Sequence, residues 1–142
     1  MSYLLDTDTC IAIIEDRPAR ARRRLAEARR AGATIAVPTV ALFELWFGVA
    51  RSAPARKPAN EARLREFLSG PVEVLPFEAG DARLAGEIRE TLRAAGTPIG
   101  AYDLLIAGQA LARGLTVATA NLCEFARVDG LSVTNWLDEG SP

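Results

Sequence analysis

The chain contains no histidine. That absence excludes Ser–His–Asp and Cys–His catalysis, histidine acid–base chemistry of the kind many metal-free ribonucleases use, and any His-ligated zinc site. Lysine is nearly missing too, with Lys57 the only one. The two cysteines, Cys10 and Cys123, form no CxxC pair and no even framework of the secreted type. They read as small buried hydrophobes in a protein of the reducing cytoplasm. No basic stretch leads into an apolar one at the N-terminus, so no signal peptide is expected there. The most apolar segment, 35–50, is broken by Pro38, Glu44 and Gly48. It is shorter than the roughly 20 residues a membrane span needs, so no membrane association is expected.

What is present is the material of one globular domain. The 142 residues are 49% hydrophobic and 25% charged, with a net charge of −1. That balance supports a real core and argues against long disorder. Arginine carries nearly all the positive charge, and Arg17, Arg20, Arg22, Arg23, Arg24, Arg29 and Arg30 crowd one segment. Guanidinium groups suit bidentate phosphate contacts, which makes Arg22, Arg23 and Arg24 candidate substrate-binding residues. A solvated helix face accounts for the same run without any ligand.

Along the chain, apolar strands at 3–5, 34–37, 72–75, 115–118 and 131–134 alternate with helical patterns. Helices are expected at about 8–15, 18–30, up to 50, from an Asn60 cap to Gly70, up to Gly96, and over 99–113. The segments 52–59 and 119–125 read as loops. Short apolar strands separated by helices imply an α/β fold. Its central sheet would be mostly parallel, of four to five strands, with helices on both faces. Residues 1–137 would form the domain and 138–142 a short tail. Ligands of such sheets sit beyond the carboxyl ends of the strands, and Asp6 stands at one of them.

Three acids lie where carboxylates are costly. Asp6 follows Tyr3-Leu4-Leu5, Glu44 sits inside Val40–Phe47, and Asp103 inside Ile99–Ala107. Each needs a cation, hydrogen bonds or a raised pKa. Asp8 adds a fourth acid, or else an N-cap for the first helix. Clustered carboxylates repel unless positive charge separates them, and hard divalent ions such as Mg²⁺ or Mn²⁺ take oxygen ligands of this kind. Thr119 and Asn121 would emerge at the same edge, as secondary contacts or as turn formers.

The ordered set LLDTD at 4–8, PTVALFELWFG at 38–48, IGAYDLLIAGQAL at 99–111 and TANLCEF at 119–125 resembles the PIN-domain ribonucleases, and more narrowly the VapC toxins of toxin–antitoxin pairs. The resemblance spans nearly the whole chain. It implies a PIN-like single domain and a metal-dependent endoribonuclease, with Asp6, Glu44 and Asp103 as catalytic, Mg²⁺-coordinating acids (Mn²⁺ being possible). The family's fourth acidic position corresponds to Asn121 here, and Asp8 stands where many relatives have Asn, so Asp8 is a further candidate ligand. Thr119 is a candidate hydroxyl contact, and Glu124 is a reserve ligand or a solvent-facing loop residue. The same resemblance implies a homodimer, a VapB-type antitoxin as partner, DNA contact only through that antitoxin, and structured RNA, such as initiator tRNA, as substrate.

Two rivals remain at this level. Asp6-Thr7-Asp8-Thr9 after an apolar strand matches the DxDx[TV] opening of haloacid-dehalogenase-like phosphatases. That fold also needs a phosphate-side lysine and a late acidic pair, however, and it leaves Glu44 unexplained. A catalytically degenerate PIN module acting only by binding is the other, although three of the expected acids are in place.

Overall fold

A computed structural model describes residues 1–138, so the expected tail lies almost wholly outside the described part. Five strands run β1 (Ser2–Leu5), β2 (Thr34–Pro38), β3 (Glu73–Leu75), β4 (Thr116–Ala118) and β5 (Val133–Thr134). All pair in parallel, in the order β3-β2-β1-β4-β5. The helices between them are α1 (Thr7–Glu15), α2 (Arg20–Arg30), α3 (Thr39–Ala50), α4 (Lys57–Ser69), α5 (Ala79–Ala94), α6 (Ala101–Arg113) and α7 (Leu122–Phe125). The expected α/β fold with a parallel sheet and helices on both faces is therefore what forms.

Strand side chains alternate between faces, and the core divides accordingly. Leu5, Ile35 and Val37 point into one cluster with Cys10, Ile13, Leu45, Leu64 and Trp136, beneath α1–α4. Leu4, Ala36 and Val117 point into the other, with Ile88, Leu92, Ile106 and Phe125, beneath α5 and α6. The α5–α6 contact is tight: a Cβ built on Gly108 would lie 2.7 Å from the Ala85 Cβ. Only hydrogen fits there.

Parallel pairing sends every strand's carboxyl end to one edge. Strand order reverses beside β1, because β2 and β3 lie on one side of it and β4 and β5 on the other. In sheets of this kind the crevice opens at that reversal. Leu5 pairs with Ala118, which brings the next residues, Asp6 and Thr119, to the crevice together.

Several local expectations need correction. Asn60 is not a cap, because α4 already starts at Lys57; its amide bonds the Ser52 hydroxyl at 2.8 Å instead. Pro58 in the first turn is compatible with that earlier start, since the first N–H groups of a helix have no partner to lose. The helix expected from Ile99 begins at Ala101, after the extended Gly100. The segment 119–125 is not a plain loop, since Leu122–Phe125 makes one helical turn. Cys10 is buried as expected, but Cys123 lies exposed on that turn.

Candidate active site

Asp6 is the N-cap of α1. Its Oδ1 accepts the Thr9 N–H at 2.9 Å, while its own N–H donates to the Ala118 carbonyl at 3.2 Å. The capping role considered for Asp8 thus belongs to Asp6, and Asp8 sits exposed in the first turn. Asp6 is only 4% exposed. Burial raises its pKa above the usual carboxylate value, against the pull of hydrogen bonds from the Thr119 side chain and the Thr9 N–H, and the charge of Asp8 raises it further.

Across the reversal point, Asp103 occupies the first turn of α6 and Glu124 the single turn of α7. The Asn121 amide joins them, its Nδ2 donating to Asp103 Oδ2 at 3.0 Å and to Glu124 Oε2 at 2.5 Å. Thr119 orders this loop, since its hydroxyl accepts the Asn121 N–H at 2.8 Å. Asp103 and Glu124 also act on each other's titration, as neighbouring carboxylates do. Burial first, then the Glu124 contact and the charge of Asp6, push Asp103 up to about 6. Glu124 is held below its usual range by the Asn121 amide and then by Asp103.

Glu44 reaches the cluster from α3. Its Oε1 accepts the Thr7 hydroxyl at 2.6 Å, which ties it to the residue after Asp6. The structure therefore brings Asp6, Asp103, Thr119 and Asn121 together at one sheet edge, with Asp8 at its rim, while Glu44 is linked to them through Thr7. Arg22, Arg23 and Arg24 are not brought there. Arg22 donates to the Ile13 and Ile14 carbonyls at 2.7 and 3.1 Å and pairs with Asp16 at 3.5 Å, closing the far end of α1. That end is about 13 Å along the helix from the acids. Arg23 and Arg24 line a shallow depression with Arg20, Glu27 and Asp138.

Glu124 is the residue whose place the sequence reading left open, and it faces the cluster rather than solvent. Thr7 was not anticipated at all. A DTDT segment at a strand end carries the signal for it only when the partner of Glu44 is known.

The donor set is all oxygen plus one amide. Among the described residues no group of three or more Asp, Glu or Cys side chains lies close enough together to hold a metal ion. Nor does an ion pair reach Asp6, Asp103 or Glu124 among the described residues. Arg127 donates to the Pro98 carbonyl at 2.8 Å and acts on Glu124 only through its charge. Mg²⁺ and Mn²⁺ sites commonly use one or two carboxylates plus water and substrate oxygens, so the facing Asp103–Glu124 pair beside Asp6 fits such an ion.

The PIN-domain family model matches residues 3–131. A tRNA(fMet)-specific endonuclease VapC of Salmonella typhimurium is 38% identical over 137 residues, covering 96% of this chain and 98% of that protein. Ribonuclease VapC2 of Rickettsia felis is also 38% identical, with 96% and 98% covered. Among solved structures, VapBC2 of Rickettsia felis, bound to a promoter DNA fragment, matches with a TM-score of 0.87 at 35% identity, covering 96% of this chain and 99% of that one. DNA-bound VapBC of Salmonella typhimurium matches at 0.86 and 36%, with 96% and 98% covered. The chain belongs to the PIN-domain family, in its VapC branch of toxin ribonucleases. The phosphatase alternative falls with that membership, and Lys57, at the start of α4, has no place in the acidic cluster.

Proposed function

We propose that the acidic edge is a divalent-metal-dependent endoribonuclease centre in which Asp6, Asp103, Glu124 and Glu44 hold Mg²⁺ or Mn²⁺. The observation that carries this reading is the Asp103–Glu124 pair, two carboxylates pressed together beside buried Asp6 without a protein cation between them. A bound ion would activate water and stabilise charge on the phosphodiester undergoing in-line attack.

The chain's own residues do the rest. Asp6 is fixed through Oδ1 to the start of α1 and takes a further hydrogen bond from the Thr119 side chain, which holds its carboxylate at the edge of the site. Asn121 orients both Asp103 and Glu124, so the amide at the family's fourth acidic position acts as a clamp while Glu124 supplies the negative charge. Thr7 fixes the Glu44 carboxylate. Asp8 adds charge at the rim, where it would draw cations in. Thr119 holds the 119–121 loop against Asp6. Arg23 and Arg24 would meet phosphates only of an RNA long enough to extend past α1.

A structured RNA is the substrate class favoured here. Initiator tRNA is the specific candidate, supported by the substrate named for the Salmonella relative. A VapB-type antitoxin is the expected partner, and promoter DNA would be contacted through it; the similar VapBC complexes of Rickettsia felis and Salmonella typhimurium are DNA-bound. An apolar cleft of about 200 Å³ between α1, α3 and α4, lined by Ile11, Ile14, Leu45, Val49 and Leu64, opens beside Glu44 and offers that partner a bed. A homodimer in the cytoplasm completes the proposal; no helix among the described residues is long and apolar enough to cross a membrane.

The test is to incubate total RNA with the purified chain and Mg²⁺ or Mn²⁺, then map the new ends. Discrete cleavage that stops with EDTA is expected. Undiminished cleavage in EDTA would overturn the metal reading, and no cleavage with either ion would leave a binding module.

A further inference from the structure

Beside the acids lies a row of exposed aromatic rings that neither the core nor the catalytic groups use. Tyr102 is 46% exposed, Phe43 55% and Phe47 58%. Tyr102 and Phe43 immediately precede Asp103 and Glu44 in the chain, and their rings meet edge to face, with centroids 5.7 Å apart and planes at 68°. On α3, Phe43, Phe47 and Arg51 recur every fourth residue, so they share one face over about 12 Å of helix. The Arg51 guanidinium lies 5.8 Å from the Phe47 ring centroid. Single exposed apolar side chains are ordinary, but a contiguous row of three rings ending in a cation marks a binding surface.

We infer that Tyr102, Phe43 and Phe47, with Arg51 at the end, form a rail on which unpaired bases of the RNA stack as its backbone crosses the acidic centre. This rests on the ribonuclease reading of that centre and assigns its substrate contacts. Aromatic rings interleaved with a guanidinium are how proteins hold single-stranded nucleic acid, because every base offers a π face while a duplex keeps its bases stacked on one another. The row begins against the acids that would handle the scissile phosphate and ends at a group suited to a neighbouring phosphate. RNA is favoured over a protein partner because the apolar cleft offered to that partner is lined by Leu45 and Val49, on the opposite side of the same helix.

The experiment uses the full chain in two backgrounds. In Asp103→Asn, which should bind RNA without cutting it, a single-stranded oligoribonucleotide carrying 2-aminopurine should lose fluorescence on binding, as the base stacks. Adding F43L and Y102L should abolish that quenching and raise Kd about tenfold. Tyr102→Phe, which keeps the ring, should behave as the parent. Arg51→Gln should lower the salt slope of binding by about 0.7. In the cleaving background, F43L/Y102L should raise KM on an unpaired-loop substrate, and all variants should keep the parent's melting temperature because these rings are exposed.

Unchanged quenching and KM would overturn the rail. So would dissociation of a dimer by F43L/Y102L in sedimentation velocity, which would assign the row to a second copy. Weakened antitoxin binding with RNA binding intact would assign it to that protein instead. If the parent chain cuts no RNA with either metal, the reading of the centre fails and the rail with it. If the parent cuts and F43L/Y102L cuts with the same KM, the rail alone fails.

Discussion

Asp81 and Asp6 are both buried carboxylates near a sheet edge, and they have opposite fates. Asp81, 2% exposed, is met by Arg113 through two hydrogen bonds of 2.8 and 3.2 Å and by the Glu78 N–H at 2.8 Å. Burial alone would raise its pKa, but these contacts and the guanidinium charge outweigh it and hold it below the usual carboxylate range. The same guanidinium donates to the Pro76 carbonyl at 2.8 Å, so the cluster fastens α5 and α6 to the chain leaving β3. Asp6 and Asp103 have no such cation, and both are raised. A buried acid whose countercharge is built in belongs to the scaffold. One whose countercharge is left out is what the proposed metal site requires.

The comparison can be broken most decisively at Asp103. Asp103→Asn should lower cleavage on the order of 10²–10³-fold, while the melting temperature without metal stays level or rises, because a mutual repulsion disappears. A large loss of stability would mean that Asp103 is a scaffold residue after all. Asp81→Ala should do the reverse. It removes a cap and half of a nearly buried ion pair, costing about 3 kcal/mol in denaturant titrations, while the activity per folded molecule stays at the parent level.

Acidity separates the two regions by sign. Asp81 has a depressed folded pKa, so its contribution is present above about pH 3.8 and is lost as pH falls through that lowered value. Asp103 has a raised one, so without divalent metal its contribution is complete below about pH 3.8 and is lost as pH rises through about 6. Metal-free chain should therefore lose stability between pH 4 and 6, and Asp103→Asn or saturating Mg²⁺ should flatten that decline. An unchanged decline in Asp103→Asn would remove this residue as its source. The smallest effect concerns the arginines. Neutralising Arg22, Arg23 and Arg24 together should reduce the salt slope of RNA binding by about 1.4, corresponding to two phosphate contacts at about 0.7 each, because Arg22 is committed to the end of α1. A change near 2 would restore all three to the RNA.

Much of this was legible in the sequence, for physical reasons that also mark where legibility stops. The strands are short, continuous apolar runs because a parallel sheet covered on both faces leaves no polar side. That made both the fold and the position of Asp6 readable. Asp6 stood out because an apolar strand runs into it, and Glu44 and Asp103 because apolar residues flank them; of the three only Asp6 is buried, the other two being half-buried. Asp81 escaped notice by the same criterion, since it lies among Gly80, Ala82 and Arg83 and is buried only by packing against α6. Glu124 was ambiguous because α7 is a single turn, too short for any periodicity to register. The run at 20–30 revealed its charge, but not that one of its guanidinium groups would cap the preceding helix, which depends on the angle between α1 and α2.

The N-cap role of Asp6 has a genetic consequence. Its carboxylate secures the first turn of α1 and also belongs to the proposed metal site, so in that reading a single side chain serves both folding and chemistry. If the chain pairs with an antitoxin as proposed, then among mutants selected for escape from toxicity, changes at Asp103 should leave a full-length inert protein that still occupies it. Changes at Asp6 should instead yield a weakened protein that the cell's proteases clear, freeing the antitoxin as well.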